Sequence, residues 1–215
     1  MSEAEVVVVG AGLAGSEAAW QIAQRGVPVR LYEMRPTRST PAHRTPDFAE
    51  LVCSNSLKSL ELSTPHGLLK EEMTSLGSKI LECALRHRVP AGGALAVDRD
   101  AFARAVTSDL TSHPLIAIVR EEMVEIPEKG IVVLAVGPLV SERLQDSIAR
   151  FTGEAYLHFY DAIAPVIDAD SIDRDAAFAA SRYEKGGGAD YINCPMTERE
   201  YEEFVAALLA GEKAP

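Results

Sequence analysis

The stretch Val6–Gly15, VVVVGAGLAG, constrains the fold more than any other part of the chain. Four β-branched residues run into Gly10-Ala11-Gly12-Leu13-Ala14-Gly15, and helix formers follow at once from Ser16 to Ala23. A run that is apolar on both faces suits a buried strand of a parallel sheet. Gly10 permits a sharp turn, Gly12 leaves the backbone open to an approaching pyrophosphate, and Gly15 lets helix and strand pack closely. The helix start then offers free N–H groups and the positive end of its dipole to phosphates. The next apolar run, Val27–Tyr32, ends at Glu33, where a carboxylate accepts from a ribose hydroxyl in dinucleotide sites. The bland alternative is an ordinary βαβ turn whose glycines serve packing alone. The strand before, the helix after and the acid at the second strand's end favour a dinucleotide site.

A second stretch refines this. Ile131–Gly137, IVVLAVG, is an apolar run ending in Ala135, one spacer and a glycine. Alone it is a buried strand that stops at Gly137-Pro138. Together with the glycine turn it reads as a strand returning beside the first, its small residues leaving room for the cofactor, and it favours FAD over NAD.

Between these stretches the pattern predicts a helix over 12–25, a strand over 28–33 and a long loop over 34–46, broken by Pro36, Pro41 and Pro46. FAELVCSNSL (48–57) runs from apolar to polar. A single amphipathic helix is expected over 67–86, with Gly77 as a weak point. A glycine-rich loop and short strand follow over 89–97, and Asp98 caps a helix over 99–110. Three short strands are expected at 115–120, 122–126 and 131–136, then a helix over 141–150. Beyond Gly153 the texture changes. Residues 155–167 are aromatic and β-prone, 186–188 form a glycine turn, and 191–195 read as a strand. Thr197 with Glu200 reads as a capping box opening a helix to about 210. The expected fold is α/β: a Rossmann-like domain with a parallel sheet over 1–152, and part of a smaller α+β insert domain over 153–215.

The formal net charge of −11 over 215 residues does not by itself decide partners, because acid is concentrated near the C-terminus while 35–44 carries Arg35, Arg38, His43 and Arg44 without an acid. Three cysteines, widely spaced and without a CxxC, argue against a disulfide framework or a zinc site. The aspartates at 168, 170, 173 and 175 lack the glycine and closing glutamate of a calcium loop. No leader and no apolar run of membrane-spanning length is visible, so a cytoplasmic location is expected.

Single residues leave alternatives open. Cys53 reads either as a small buried hydrophobe, the commoner state of a free cysteine, or as a reactive thiol. Cys83 and Cys194 read as structural. Ser54, Asn55 and Ser56 could donate to phosphates or to a flavin ring, or could equally cap the next segment. Arg35, Arg38 and Arg44 could meet phosphates or stay solvated. His43 could contact a substrate or stay a loop histidine.

One resemblance draws these pieces together. VVVVGAGLAGSEAAWQIAQRGVPVRLYEMRP, TPAH, FAELVCSNSL, GLLKEEM, RVPAGGALAVDRDAF and DYINCPMTEREY resemble the folate-dependent tRNA (uracil-5-)-methyltransferases, a family of bacterial flavoproteins, over essentially the whole chain. The resemblance implies methylation of the five-position of the T-loop uridine of tRNA to ribothymidine. It implies FAD as cofactor, methylenetetrahydrofolate as carbon donor, NADH or NADPH as reductant, and tRNA as partner. It makes Cys53, within VCSNS, the expected catalytic residue. The residues expected at the cofactor are Gly10, Ala11, Gly12, Leu13, Ala14, Gly15, Glu33, Arg35, Asn55, Ser56, Ala135 and Gly137. Members of that family are about twice as long, so the chain is expected to carry the adenine and pyrophosphate half of the site. Two alternatives are a related flavoprotein of tRNA wobble-uridine modification and a non-catalytic dinucleotide-binding fragment.

Overall fold

The computed structural model describes residues 5–153, 167–181 and 188–211. Among these, residues up to 89 and from 94 to 153 belong to one compact unit, and 90–93 with those from 167 onward belong to a second.

The first unit is organised by a four-stranded parallel sheet in the order β6-β2-β1-β7. Strand β1 (Val6–Val9) leads through the glycine turn into helix α1 (Leu13–Gln24), which returns the chain to β2 (Val29–Tyr32). The pairing is in parallel register, Val6 opposite Val29 and Val9 opposite Tyr32. Val8, Val29 and Leu31 are buried almost completely. Helix α1 meets the sheet through small residues, with Gly15, Ser16, Ala19 and Ala23 buried. These sit near i, i+4 spacing, and their short side chains let the helix axis approach the strands. The buried Ser16 hydroxyl is satisfied by donating to the Ala11 carbonyl at 3.1 Å.

After β2 the chain makes a long excursion. It forms an antiparallel sheet in the order β3-β5-β4, from β3 (Ser56–Ser59), β4 (Arg88–Val89) and β5 (Ala94–Val97). The positive φ of Lys58 accompanies a shift of register in the β3–β5 pair. Helices α2 (Pro65–Ser75), α3 (Lys79–Arg86) and α4 (Arg99–Thr111) belong to the same excursion. The core gathers Phe48, Leu81, Cys83, Leu95, Val97, Phe102, Val106 and Leu110 with the inner residues of β1 and β2. Asp98 caps α4 as expected, accepting from the Ala101 N–H at 2.9 Å. The chain then enters β6 (Ile116–Val119) beside β2, crosses to the far edge as β7 (Ile131–Leu134) beside β1, and ends this unit in α5 (Glu142–Thr152).

Two expectations are corrected. The helix expected over 67–86 is two helices. Gly77 takes a φ of +76°, which an L side chain rarely adopts, and Ser78 then caps α3 by accepting from the Leu81 N–H. The Glu17 carboxylate reinforces this start, accepting from the Ser78 hydroxyl at 2.8 Å and the Ile80 N–H at 2.9 Å. Residues 122–126 form no strand; instead the Ile126 N–H donates to the Ser147 hydroxyl of α5.

In the second unit, β8 (Phe178–Ala180) and β9 (Tyr191–Asn193) form an antiparallel hairpin, and α6 (Glu198–Ala210) follows. Thr197 and Glu200 make the reciprocal capping box that their spacing suggests. The Asp190 carboxylate accepts from the Gly92 N–H, and the Tyr191 hydroxyl donates to the Ala91 carbonyl, which ties 90–93 to this unit. Cys194 is exposed rather than structural. The aromatic, β-prone stretch 155–167, apart from Ile167, and most of the glycine turn at 186–188 lie outside the described residues.

Candidate functional site

The glycine turn sits where three strand ends meet. The Gly10 N–H donates to the Tyr32 carbonyl of β2, and the Ala135 N–H donates to the Val9 carbonyl, both at 2.8 Å. Gly10 has a φ of +93°, and a Cβ there would stand 2.7 Å from the Ala135 carbonyl oxygen. A Cβ on Gly15 would overlap the Gly10 carbonyl, so this glycine serves helix–strand packing. Gly12 differs from both, since a Cβ there would meet nothing within 4 Å. It is the N-cap of α1 and makes no side-chain cap, so the first N–H groups of the helix are not satisfied by the helix itself.

These backbone groups open onto a cavity of about 490 Å³ at the C-terminal ends of β1, β2 and β7. The chain leaves β1 toward β2 on one side and returns as β7 on the other. That is the switch point at which open α/β sheets bind ligands. The wall contains Gly10, Ala11, Gly12, Leu13, Ala14, Glu33, Arg35, Cys53, Ala135 and Gly137, so the structure gathers ten of the expected residues. Gly15, Asn55 and Ser56 are not in the wall. Asn55 belongs to the small sheet, donating its side-chain amide to the Val97 carbonyl while its own carbonyl accepts from the Val97 N–H. The Ser56 hydroxyl accepts from the Lys58 N–H.

Glu33 is buried at the end of β2 and fully engaged. One carboxylate oxygen accepts from the Ala11 N–H at 3.1 Å and from Arg35 Nη2 at 3.1 Å; the other accepts from the Arg35 N–H at 3.1 Å and from Arg35 Nε at 2.8 Å. Burial pushes its carboxyl up, but the Arg35 guanidinium, with the Arg35 and Ala11 N–H groups, outweighs this and holds it below the usual range. Arg35 also pairs with Glu50 at 2.9 Å, and its side chain is only 3% exposed. For two of the three arginines left open between phosphate contact and solvation, the structure shows ion pairs instead. Arg35 is bound by two carboxylates, and Arg38 pairs with Glu122 at 2.8 Å.

The long loop over 34–46 is braced rather than loose. Glu50 accepts from the Arg44 and Thr45 N–H groups, and Arg35 Nη1 donates to the Thr45 carbonyl. Arg120 Nη1 donates to the Arg35 carbonyl at 3.1 Å and to the Pro46 carbonyl at 2.7 Å, while its guanidinium lies 4.2 Å from the centre of the Phe48 ring. Cys53 is exposed to the cavity, whereas Cys83 is buried, where burial first and then Asp109 push its thiol up to about 11. Among the described residues no group of three or more His, Cys, Asp or Glu is placed to hold a metal.

Sequence reasoning missed part of the wall. Glu50, Glu121 to Met123, and 138–141 with Leu144 also line it. Two adjacent glutamates ahead of a proline suit a loop after β6 better than the strand expected at 122–126.

The cavity's open glycine backbone, unsatisfied helix N–H groups and volume within the roughly 300–1,000 Å³ of ligand clefts fit a dinucleotide such as FAD.

The family described as glucose inhibited division protein A matches residues 5–215. The chain is 59% identical over 209 residues to the methylenetetrahydrofolate--tRNA-(uracil-5-)-methyltransferase TrmFO of Desulforudis audaxviator, covering 97% of this chain and 47% of that protein. It is 60% identical over 214 residues to the protein of the same name from Symbiobacterium thermophilum, covering 100% of this chain and 48% of that protein. The chain thus spans about half the length of the curated relatives it matches. Among solved structures, GidA of Aquifex aeolicus in its form II crystal aligns with a TM-score of 0.47 at 18% identity, over 58% of this chain and 20% of that one.

Proposed function

The chain belongs to the glucose inhibited division protein A family, and from this premise we propose that it forms the dinucleotide-binding part of an FAD-dependent enzyme that methylates the five-position of the T-loop uridine of tRNA. Relatives named as methylenetetrahydrofolate--tRNA-(uracil-5-)-methyltransferases at about 59% identity support the substrate and the carbon donor. The observation that carries the reading is that Cys53 opens onto the same cavity as the glycine turn. A thiol and a dinucleotide cradle sharing one wall suit redox-linked group transfer.

In this reading the N–H groups at the start of α1 bind the pyrophosphate, with Gly12 giving it room. Glu33 lies on the ribose side of the cradle, but its four acceptor positions are taken by Arg35 and the Ala11 N–H, so it acts by fixing the turn rather than by accepting from the sugar. Ala135 and Gly137, small residues at the end of β7, would leave room for the cofactor beside the turn. FAD, when bound, would carry electrons from NADH or NADPH and pass the one-carbon group from the folate to uracil. Cys53 serves as the thiol at the reacting end, as nucleophile or proton carrier. The enzyme works in the cytoplasm, and no helix among the described residues is long and apolar enough to cross a membrane.

The test is mass analysis of tRNA nucleosides from a strain lacking the full-length gene and any other enzyme for this uridine. Loss of ribothymidine, restored by the gene, is expected. Persisting ribothymidine would overturn the assignment. Release of FAD from the purified full-length protein, followed by its absorption near 450 nm, tests the cofactor separately.

A further inference from the structure

His43 lies on the braced loop and lines the cavity of the glycine turn. Its Nδ1 is 2.7 Å from the Thr40 hydroxyl oxygen, and its backbone N–H donates to the Thr40 carbonyl at 3.3 Å. The ring is therefore fixed at one nitrogen, while Nε2 has no hydrogen-bond partner among the described residues. The chain is anchored directly after it, through the Arg44 and Thr45 N–H groups on Glu50 and the Thr45 carbonyl on Arg35. An imidazole held this firmly on a loop is unlike a solvated loop histidine. The charged groups around it are Arg35, Glu50 and Glu33. Burial and then Arg35 lower its pKa against the two carboxylates, which favours the neutral ring near pH 7.

We propose that His43 is a ligand-contacting residue whose Nε2 hydrogen-bonds an oxygen of the dinucleotide held at the glycine turn. This rests on the dinucleotide reading of the cavity. In the tautomer in which the Thr40 hydroxyl donates to Nδ1, Nε2 carries the proton and donates, which suits a phosphate, carbonyl or ribose oxygen. Thr40 is then a positioning residue that holds the ring through Nδ1.

Two substitutions separate this role from a purely structural one. An asparagine amide reaches the place of Nδ1 and keeps the Thr40 bond, whereas a glutamine amide reaches the place of Nε2 and keeps the ligand bond. The full-length protein, stripped of flavin, is titrated with FAD and followed by flavin fluorescence, and the melting of each apoprotein is recorded beside it. His43→Asn and His43→Ala are expected to weaken FAD binding about 3–10-fold, as for one net hydrogen bond. His43→Gln is expected to stay within about 2-fold of wild type, with apoprotein melting unchanged in all three. Unaltered affinity in all three variants, or rescue by Asn rather than Gln, would overturn the assignment. A wild-type protein that binds no FAD, with Gly12→Val indistinguishable from it, would instead overturn the cavity reading and this contact with it.

Discussion

Replacing Gly15 by Ala tests whether the glycines of the turn have separate tasks. The new methyl would overlap the Gly10 carbonyl oxygen and come 3.3 Å from the Ala135 side chain. The atom in the way is backbone and is tied into the sheet through the Gly10 and Ala135 N–H groups. No flexible side chain can yield, so the upper end of the overpacking range applies, about 3 kcal/mol. Ala is the better helix former, and this returns about 0.5–1 kcal/mol. The net loss is then about 2–2.5 kcal/mol, a fall in melting temperature of about 4–10 °C for a chain of this size. Gly12→Val is the control. Its side chain enters open space above the helix start, so the apoprotein should melt within about 4 °C of wild type, the small loss being the poorer N-cap. The same variant should lose FAD. Circular dichroism melts of the apoproteins and FAD titrations give both readouts. A Gly15→Ala protein that melts like wild type would refute the packing argument, and a Gly12→Val protein that still binds FAD would refute the cradle.

Four further outcomes are expected. Arg35→Met should cost about 3–5 kcal/mol by urea unfolding, because it strands the buried Glu33 charge. Since the folded Glu33 pKa is depressed, its stabilisation is full above the ordinary carboxylate value of 4.5 and lost as the pH falls through the folded value, so the gap between wild type and variant should close on acidification. Cys53→Ala should leave stability within about 0.5 kcal/mol, the residue being exposed, yet lower methylation by the full-length enzyme at least about 100-fold; unchanged turnover would remove it from the chemistry. Alkylation at pH 8 read by mass spectrometry should modify Cys53 and Cys194 long before Cys83, whose thiol at about 11 leaves about one part in a thousand as thiolate. Ser78→Ala should cost about 1 kcal/mol in thermal melts, through the lost cap of α3 and the lost bond to Glu17.

The parallel core was legible because its signal is local and redundant. A β-branched run, three glycines and a terminal acid each specify one part of a single βαβ unit, and β1, α1 and β2 follow them closely. The return of β7 beside β1 could be read because Ala135 and Gly137 carry the same small-residue demand as the turn they face. What was not legible depends on distant partners. Nothing near Arg35 in the chain says that Glu50 and Arg120 will bind its loop, so its charge looked free. Asn55 and Ser56 looked like donors for a ligand, but the small sheet had prior use for them, and that sheet is closed by strands far along the chain. Gly77 marks a weak point in the pattern, but the pattern does not show how large its effect is. With Ser78 ready to cap and Glu17 ready to receive, a left-handed glycine ends one helix and starts another instead of weakening one.

The placement of β7 also sets a timetable for synthesis. β2 emerges soon after β1, so the Glu33 side of the cavity can assemble early. The opposite wall must wait for Ala135, some 120 residues later, which at about 5–20 residues per second is roughly 6–25 s on the ribosome. During that interval one edge of β1, four consecutive valines, has no neighbour to cover it. A nascent chain of this kind has reason to recruit a holding chaperone until Ile131–Leu134 arrives. Ribosome-bound chains stalled before and after that strand should differ in protease resistance accordingly.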